Sequence, residues 1–405
     1  MGATTRDRTD SRKLFAAAGI SQLGDGVRTA ALPLLAVALS PTPAAAGVVG
    51  FAGTVPILLF TLLGGALADR HDRRTIMWRS DLLRGVVVGA FAVWVLTTAP
   101  PLWALAAMTF VLGSVGAIFD NASSSFIADL FGPDPADLAA ANGRFQVIQL
   151  ISFQFLGPPL GAALFAVSTG APLVLDAVSF VIAALLVLAI RTRHDPARPD
   201  RTATLRADIA EGVRWLWRQH GLRLLALELG LANLCLQMGT TMLALLIVHV
   251  LAAPAAVYGV VLAAGAVGGL LGSLAAGAVR KRLRPGTGLG LSIGLIACGL
   301  LLAGVAWSIP VLAVAYALGA FGIMLWNVQA VVIRQRLVPR ALMGRVTSAY
   351  RLIGWGAGPV GAALGGVLGT VLDVRAPVII GGVVLAASLT LVPRLAALET
   401  TGTVQ

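Results

Sequence analysis

GALADRHDRR, Gly65 to Arg74, closes one long apolar run and opens the next. GSLAAGAVRK, Gly272 to Lys281, repeats it in the second half of the chain. Gly, Leu and Ala recur in register, Arg73–Arg74 fall on Arg280–Lys281, and Asp69 falls on Ala276. A second pair of matches agrees with the first. Asn142-Gly-Arg144 is followed, thirteen residues after the arginine, by GPPLGAAL (Gly157 to Leu164). Gly344-Arg345 is followed at the same interval by GPVGAALGG (Gly358 to Gly366). The same basic loop thus lies between apolar runs at the same place in two halves, which reads as a parallel internal duplication. Duplication of this kind is expected where two halves rock against one another around a central path.

Working outward, the 405 residues are 58% hydrophobic and only 12% charged, with a mean hydropathy of +0.88. The polar quarter that would cover a water-soluble surface is missing, so lipid must solvate most of the chain. A bilayer core takes about 20 apolar residues per helix. On that basis the sequence predicts twelve spans, near 14–39, 44–67, 76–97, 102–126, 143–167, 172–190, 222–250, 256–279, 287–306, 310–333, 346–370 and 376–393. The basic stretch before Leu14 leads into an apolar run that holds Asp25 and Arg28 and continues to Leu39, which reads as a retained first helix. The fold expected is all-α and membrane-embedded: an N-terminal six-helix bundle (1–190), a cytoplasmic linker (191–221) with an amphipathic helix near Leu205–Arg218, and a C-terminal six-helix bundle (222–405).

The net charge of +12 does not indicate a nucleic-acid partner. Of 30 basic residues 28 are Arg, and they cluster in every second loop. The loops between, such as Ser40–Ala45, Thr97–Pro101 and Ser168–Ala171, carry none. This alternation places both termini in the cytoplasm of a plasma-membrane protein. Only Arg28 and Arg375 break it clearly. Cys235 and Cys298 both lie in apolar segments and read as core filler, and the four His show no ligand spacing, so neither metal nor cofactor is expected. Nor is an enzyme, since the sequence has no H-E-x-x-H, P-loop or nucleophile-elbow motif.

The loop Gly65, Leu67, Ala68, Asp69, Arg70, Arg73, Arg74 resembles the hallmark loop of the major facilitator superfamily. Asp72 stands where that pattern usually has glycine. DRHDRR, GDG with ALPLL (Gly24 to Leu35), DAVSF (Asp176 to Phe180) and V-P-x-x-L-x-G-R-V (Val338 to Val346) are similar to its drug:proton antiporter branch, which includes the enterobactin exporter and macrolide efflux proteins. The resemblance implies that Asp69 and Arg73 stabilise one conformational state, with Asp69 at the dipole of the helix after Gly344–Arg345. Gly65, Arg70 and Arg74 complete the switch loop, where the arginines also serve orientation. Gly157, Pro158 and Gly161 are similar to the tail of the antiporter signature, although Phe153 replaces its upstream glycine. Their physical content is a kinked, small-residue face for close helix packing.

Ionisable residues deep in a span mark a pathway by default. Asp25 and Arg28, three apart, share one face of the first span with Ser21. They are either a proton-coupling pair or a static ion pair. Asp120, Gln146, Gln149, Glu228, Asn233 and Gln237 are candidates for a substrate cavity or for hydrogen bonds between helices. Asp81 and Arg84 read as a local pair, Arg351 as a partner of Asp120 or a snorkelling cation, and Asp176 as an interfacial residue. The function expected is export of small amphiphilic molecules (drug, antibiotic or siderophore-like) by proton antiport, in a monomer bathed in lipid. An importer or uniporter on the same fold is the alternative, and a membrane enzyme or receptor a more distant one.

Overall fold

The computed structural model describes residues 5–132, 134–192, 205–339 and 342–391, except for the side chains at positions 5–8, 62, 66, 69, 205–210, 285 and 391. The chain is helical throughout these residues. Its elements are α1 (Thr5–Leu39), α2 (Pro43–Arg70), α3 (Arg73–Thr97), α4 (Leu102–Phe131), α5 (Pro135–Gln149), a π-helical segment (Leu150–Leu156), α6 (Gly157–Val167) and α7 (Ala171–Leu188). There follow α8 (Leu205–Arg218), α9 (His220–Leu245), a second π segment (Leu246–Val250), α10 (Ala256–Arg282), α11 (Pro285–Gly304), α12 (Ile309–Leu337), α13 (Met343–Val371) and α14 (Ala376–Ser388). Each predicted span overlaps one helix, α5 and α6 forming a single span around their π segment and α9 continuing into the second; positions 392–393 of the last predicted span lie outside the described residues. Among the described residues ten of these helices are long and apolar enough to cross a membrane. The other two are α1, which carries Asp25 and Arg28, and α14, which has 13 residues.

Local chemistry sets the ends of these helices. Pro sits in the first turn of α5, α7, α12 and α14, where its missing N–H needs no partner. Asp134 caps α5 by accepting the Ala136 N–H at 2.8 Å. Gly132, at φ 74°, ends α4 in a backbone region that other residues avoid. Pro158 and Pro159 deprive the preceding turn of two amide donors, and the helix widens to π immediately before them.

The chain divides into two compact units. The first holds α1, α2 from Ala52, α3 to α7 and Pro254–Ala263. There α1 packs against α6 and α7, and α3 against α4 and α7. A Cβ on Gly161 would strike the Val27 carbonyl, and one on Gly26 would lie 2.5 Å from Phe153 O, so only glycine permits these approaches. The second unit holds Thr42–Phe51, α8, α9, α10 from Ala264, and α11 to α14. There α9 packs on α13 and α14, and a Cβ on Gly361 would strike the Leu234 carbonyl.

These paired contacts correct the register read from the motifs. Gly161 and Gly361 are the equivalent residues, so Pro159-Leu160-Gly161-Ala162 matches Pro359-Val360-Gly361-Ala362, one residue away from a match on the leading glycines. Cys235 is buried as expected, whereas Cys298 is exposed on α11. The amphipathic helix appears over the expected residues as α8. It buries Leu216, leaves Trp217 exposed, and rests against Arg345 of α13 through Gly212.

Candidate functional site

Four helices of the first unit converge on a cluster of charges. Arg28 of α1 pairs with Asp25 one turn away, and its Nε lies 2.9 Å from Asp176 Oδ2 on α7. Arg84 of α3 pairs with Asp81, one turn back, and its Nη1 lies 3.6 Å from Asp25 Oδ2. The Arg84 guanidinium is sandwiched between Phe119 of α4, 4.5 Å away, and Phe180 of α7, 4.3 Å away. Asp120, next to Phe119, lies within the field of Arg84 and Asp25. Asp176, Asp81 and Arg84 are 0%, 1% and 4% exposed, so their charges must be balanced within the cluster.

The motifs that suggested the family branch meet here. In GDG, Asp25 supplies the charge, while Gly24 lets α1 approach Ser179 and Asp176, and Gly26 lets it approach the π segment. In DAVSF, Asp176 pairs with Arg28, Ser179 fills the space left by Gly24, and Phe180 covers Arg84. Asp176, expected at the interface near the outer end of its span, is fully buried within the unit and paired with Arg28. The Asp81–Arg84 pair is likewise no isolated local pair, since Arg84 also faces Asp25. Beside Asp81 a cavity of about 10 Å³, lined also by Ser21, Gln22 and Ser123, has room for about one water.

Both exceptions to the charge alternation find their reason in pairing. Arg28 is neutralised within the cluster, and Arg375 donates to Gly304 O at 2.8 Å, at the carbonyl end of α11 where a cation is favoured.

The loop arginines are anchored as well. Arg73 bonds Asp129 of α4 at 2.6 Å, a partner the sequence did not reveal because Asp129 reads as an ordinary helix-end acid. Arg74 donates to Val187 O at 3.2 Å and to Leu188 O, closing the carbonyl end of α7. Arg70 is exposed, Gly65 is half-buried, and the Asp69 side chain lies outside the described residues. Asp10 adds to the same corner. It accepts from the Arg191 and Thr192 amides at 3.0 and 3.1 Å and from the Thr192 hydroxyl at 3.0 Å. Burial opposes ionisation of Asp10, but these bonds and Lys13 outweigh it and hold the carboxyl below its ordinary range.

Most of the other candidates have contacts of their own. Gln146 is exposed and Gln149 half-buried on α5. Asn233 donates to Leu229 O at 3.0 Å, and Gln237 O accepts from Thr241 at 2.7 Å, so both sites make bonds within α9. Glu228 is buried beside Ser388 of α14 at 2.5 Å. Arg351 lies over the Trp355 ring at 5.5 Å. Gly157 and Gly161 are buried against α1, as packing residues must be, and Pro158 is buried with them.

Two helical units, apolar spans and a buried ion cluster define a multi-pass membrane protein. The chain belongs to the Major Facilitator Superfamily, whose family model matches residues 14–361. It is 28% identical over 207 residues to the multidrug efflux pump Tap of Mycolicibacterium fortuitum, covering 49% of this chain and 50% of that protein. It is 28% identical over 175 residues to macrolide efflux protein A of Enterococcus faecalis, covering 42% of this chain and 52% of that one. The chain thus spans about half the length of the curated relatives it matches. Among solved structures, the nucleoside transporter NupG matches with a TM-score of 0.79 at 12% identity, covering 95% of this chain and 99% of that one. A bacterial homologue of the iron transporter ferroportin, in an inward-facing state, matches at 0.76 and 17%, covering 96% and 98%. At such identities these structures show the fold alone.

Proposed function

We propose that the chain is a secondary transporter of the plasma membrane that exports small amphiphilic molecules by proton antiport. Both termini face the cytoplasm, and the bundles 1–190 and 222–405 of a single monomer alternate access by rocking. The relatives named as multidrug and macrolide efflux proteins support the substrate class.

One observation carries the coupling. Three carboxyls (Asp25, Asp81, Asp176) pair with two guanidiniums (Arg28, Arg84), and Asp120 stands exposed at the edge of the group. Arginine keeps its charge, so neutrality of the paired groups requires a proton on the one surplus carboxyl. Asp25 touches both arginines and is itself partly accessible, its side chain 16% exposed. Of the three paired carboxyls it is the most open to water, the side chains of Asp81 and Asp176 being 1% and 0% exposed. When it gains a proton, its hold on Arg28 and Arg84 slackens, and each arginine keeps its second partner, Asp176 or Asp81. That exchange of partners between α1, α3 and α7 is the step that couples protonation to movement.

In proteoliposomes with an imposed pH gradient and the amphiphilic cation ethidium as probe, Asp25→Asn is expected to remain folded and to lose gradient-driven transport. Undiminished gradient-driven transport in that variant would overturn the assignment. Accumulation of ethidium in the direction opposite to export would favour an importer instead.

A further inference from the structure

The second unit holds an acid of a different kind, and it does not depend on the reading of the first. Glu228 of α9 is 5% exposed, and no basic side chain among the described residues pairs with it. Its contact is Ser388 Oγ, 2.5 Å from Glu228 Oε1 and also 2.8 Å from Leu385 O. The hydroxyl has one proton and cannot donate to both.

The end of α14 offers that proton an alternative to Glu228. In a continuing α-helix Leu385 O would accept the Leu389 amide. Here the helix tightens to a 3₁₀ turn over Leu389–Leu391, and the Leu389 amide turns to Ala386 O instead. Leu385 is fully buried, and its carbonyl is an acceptor within 2.8 Å of the Ser388 hydroxyl. With the hydroxyl proton on Leu385 O, the Ser388 oxygen is left as an acceptor facing Glu228. The remaining contact, between two oxygens at 2.5 Å, closes as a hydrogen bond only if Glu228 carries the proton.

Charges on the elements packed against α9 are engaged elsewhere. Arg345 of α13 bonds Glu211 of α8 at 2.6 Å, and Arg351 lies over Trp355. α14 has no titratable side chain, α11 offers only the exposed Cys298, and Tyr350 of α13 faces Arg334. Arg214 and Arg218 of α8 are exposed, and on α9 itself Arg223 lies 2.9 Å from His220 while Cys235 carries a buried thiol. Nothing among them compensates an ionised carboxylate.

We infer that Glu228 is a second proton-binding site, separate from the charge cluster, and that as a neutral acid it latches α9 to α14 by donating to Ser388. The protonated acid completes a chain from Glu228 O–H to Ser388 Oγ and from Ser388 O–H to Leu385 O.

Infrared difference spectroscopy on the full-length protein in lipid nanodiscs at neutral pH tests this. The carbonyl stretch of a protonated, hydrogen-bonded carboxylic acid is expected to disappear in Glu228→Gln, whose amide keeps the same donor. In Ser388→Ala the band is expected to persist and shift to the position of an acid without that bond. Loss of carboxylate stretches in Glu228→Gln, with no acid band lost, would show an ionised Glu228 and overturn the inference. So would an acid band unmoved by Ser388→Ala, which is a readout available even if the Gln variant does not fold.

Discussion

In the first unit Gly161 lies against the Val27 carbonyl, and in the second Gly361 lies against the Leu234 carbonyl. Taking Val27 and Leu234 as equivalent, Ala232 and Cys235 stand where the first unit has Asp25 and Arg28. The matched loops place Gly288 and Leu291 where the first has Asp81 and Arg84. One junction therefore carries four charged residues at positions where the other carries none. Close approach of the helices rests in both units on glycine against backbone oxygen, a contact that needs no ions. The close glycine contact therefore does not by itself account for the charges of the first unit.

That contrast can be broken most forcefully at Arg84. Arg84→Ala would leave Asp81 and Asp25 without a shared counter-charge in an apolar site, and loss of one partner of a buried pair costs about 3–5 kcal/mol. A large drop in the thermal midpoint of the purified protein is expected. A drop no larger than that of a surface substitution would mean that the cluster is neutralised some other way.

The shared part of the junction is tested by Gly161→Ala and Gly361→Ala. In each the new methyl group meets backbone, which cannot move aside, and overpacking of this kind costs about 1–3 kcal/mol. The two losses should be similar, because the geometry is similar. A loss at one position alone would show that the units do not share the junction.

Much of this was legible in the sequence. The spacing of Asp25 and Arg28 on one helical face was sufficient to predict their contact, and GPP at Gly157 marked a disturbed helix. The rest was not, because the missing partners are remote. Asp176 reaches Arg28 from the sixth span, Phe180 of that span and Phe119 of α4 enclose Arg84, and Asp129 meets Arg73 from the far end of α4. Periodicity assigns a residue to a face, but it does not say which helix covers that face. The one clue was that GDG and DAVSF, both polar and both inside apolar runs, needed partners and could serve each other.

The smallest expected effect concerns the edge of the charged unit, where Asp10 ties the start of α1 to the residues leaving α7. Asp10→Asn should destabilise by about 1 kcal/mol at neutral pH. An acid whose carboxyl is held below its ordinary range stabilises the fold above the unfolded-state value and loses that contribution as pH falls through the folded-state value. The difference between wild type and variant, followed by thermal unfolding, should accordingly shrink as the solution is acidified below the usual carboxylate range. A difference that grows on acidification would reverse the sign.

The central claim is that the surplus carboxyl among those paired with Arg28 and Arg84 holds a proton that is exchanged for substrate. Its most direct test is proton release on substrate binding, read with a pH indicator in weakly buffered solution of the purified protein. Adding ethidium to wild type is expected to release protons, and adding it to Asp25→Asn to release none. Binding of ethidium to wild type without proton release, or equal release from the variant, would contradict the account.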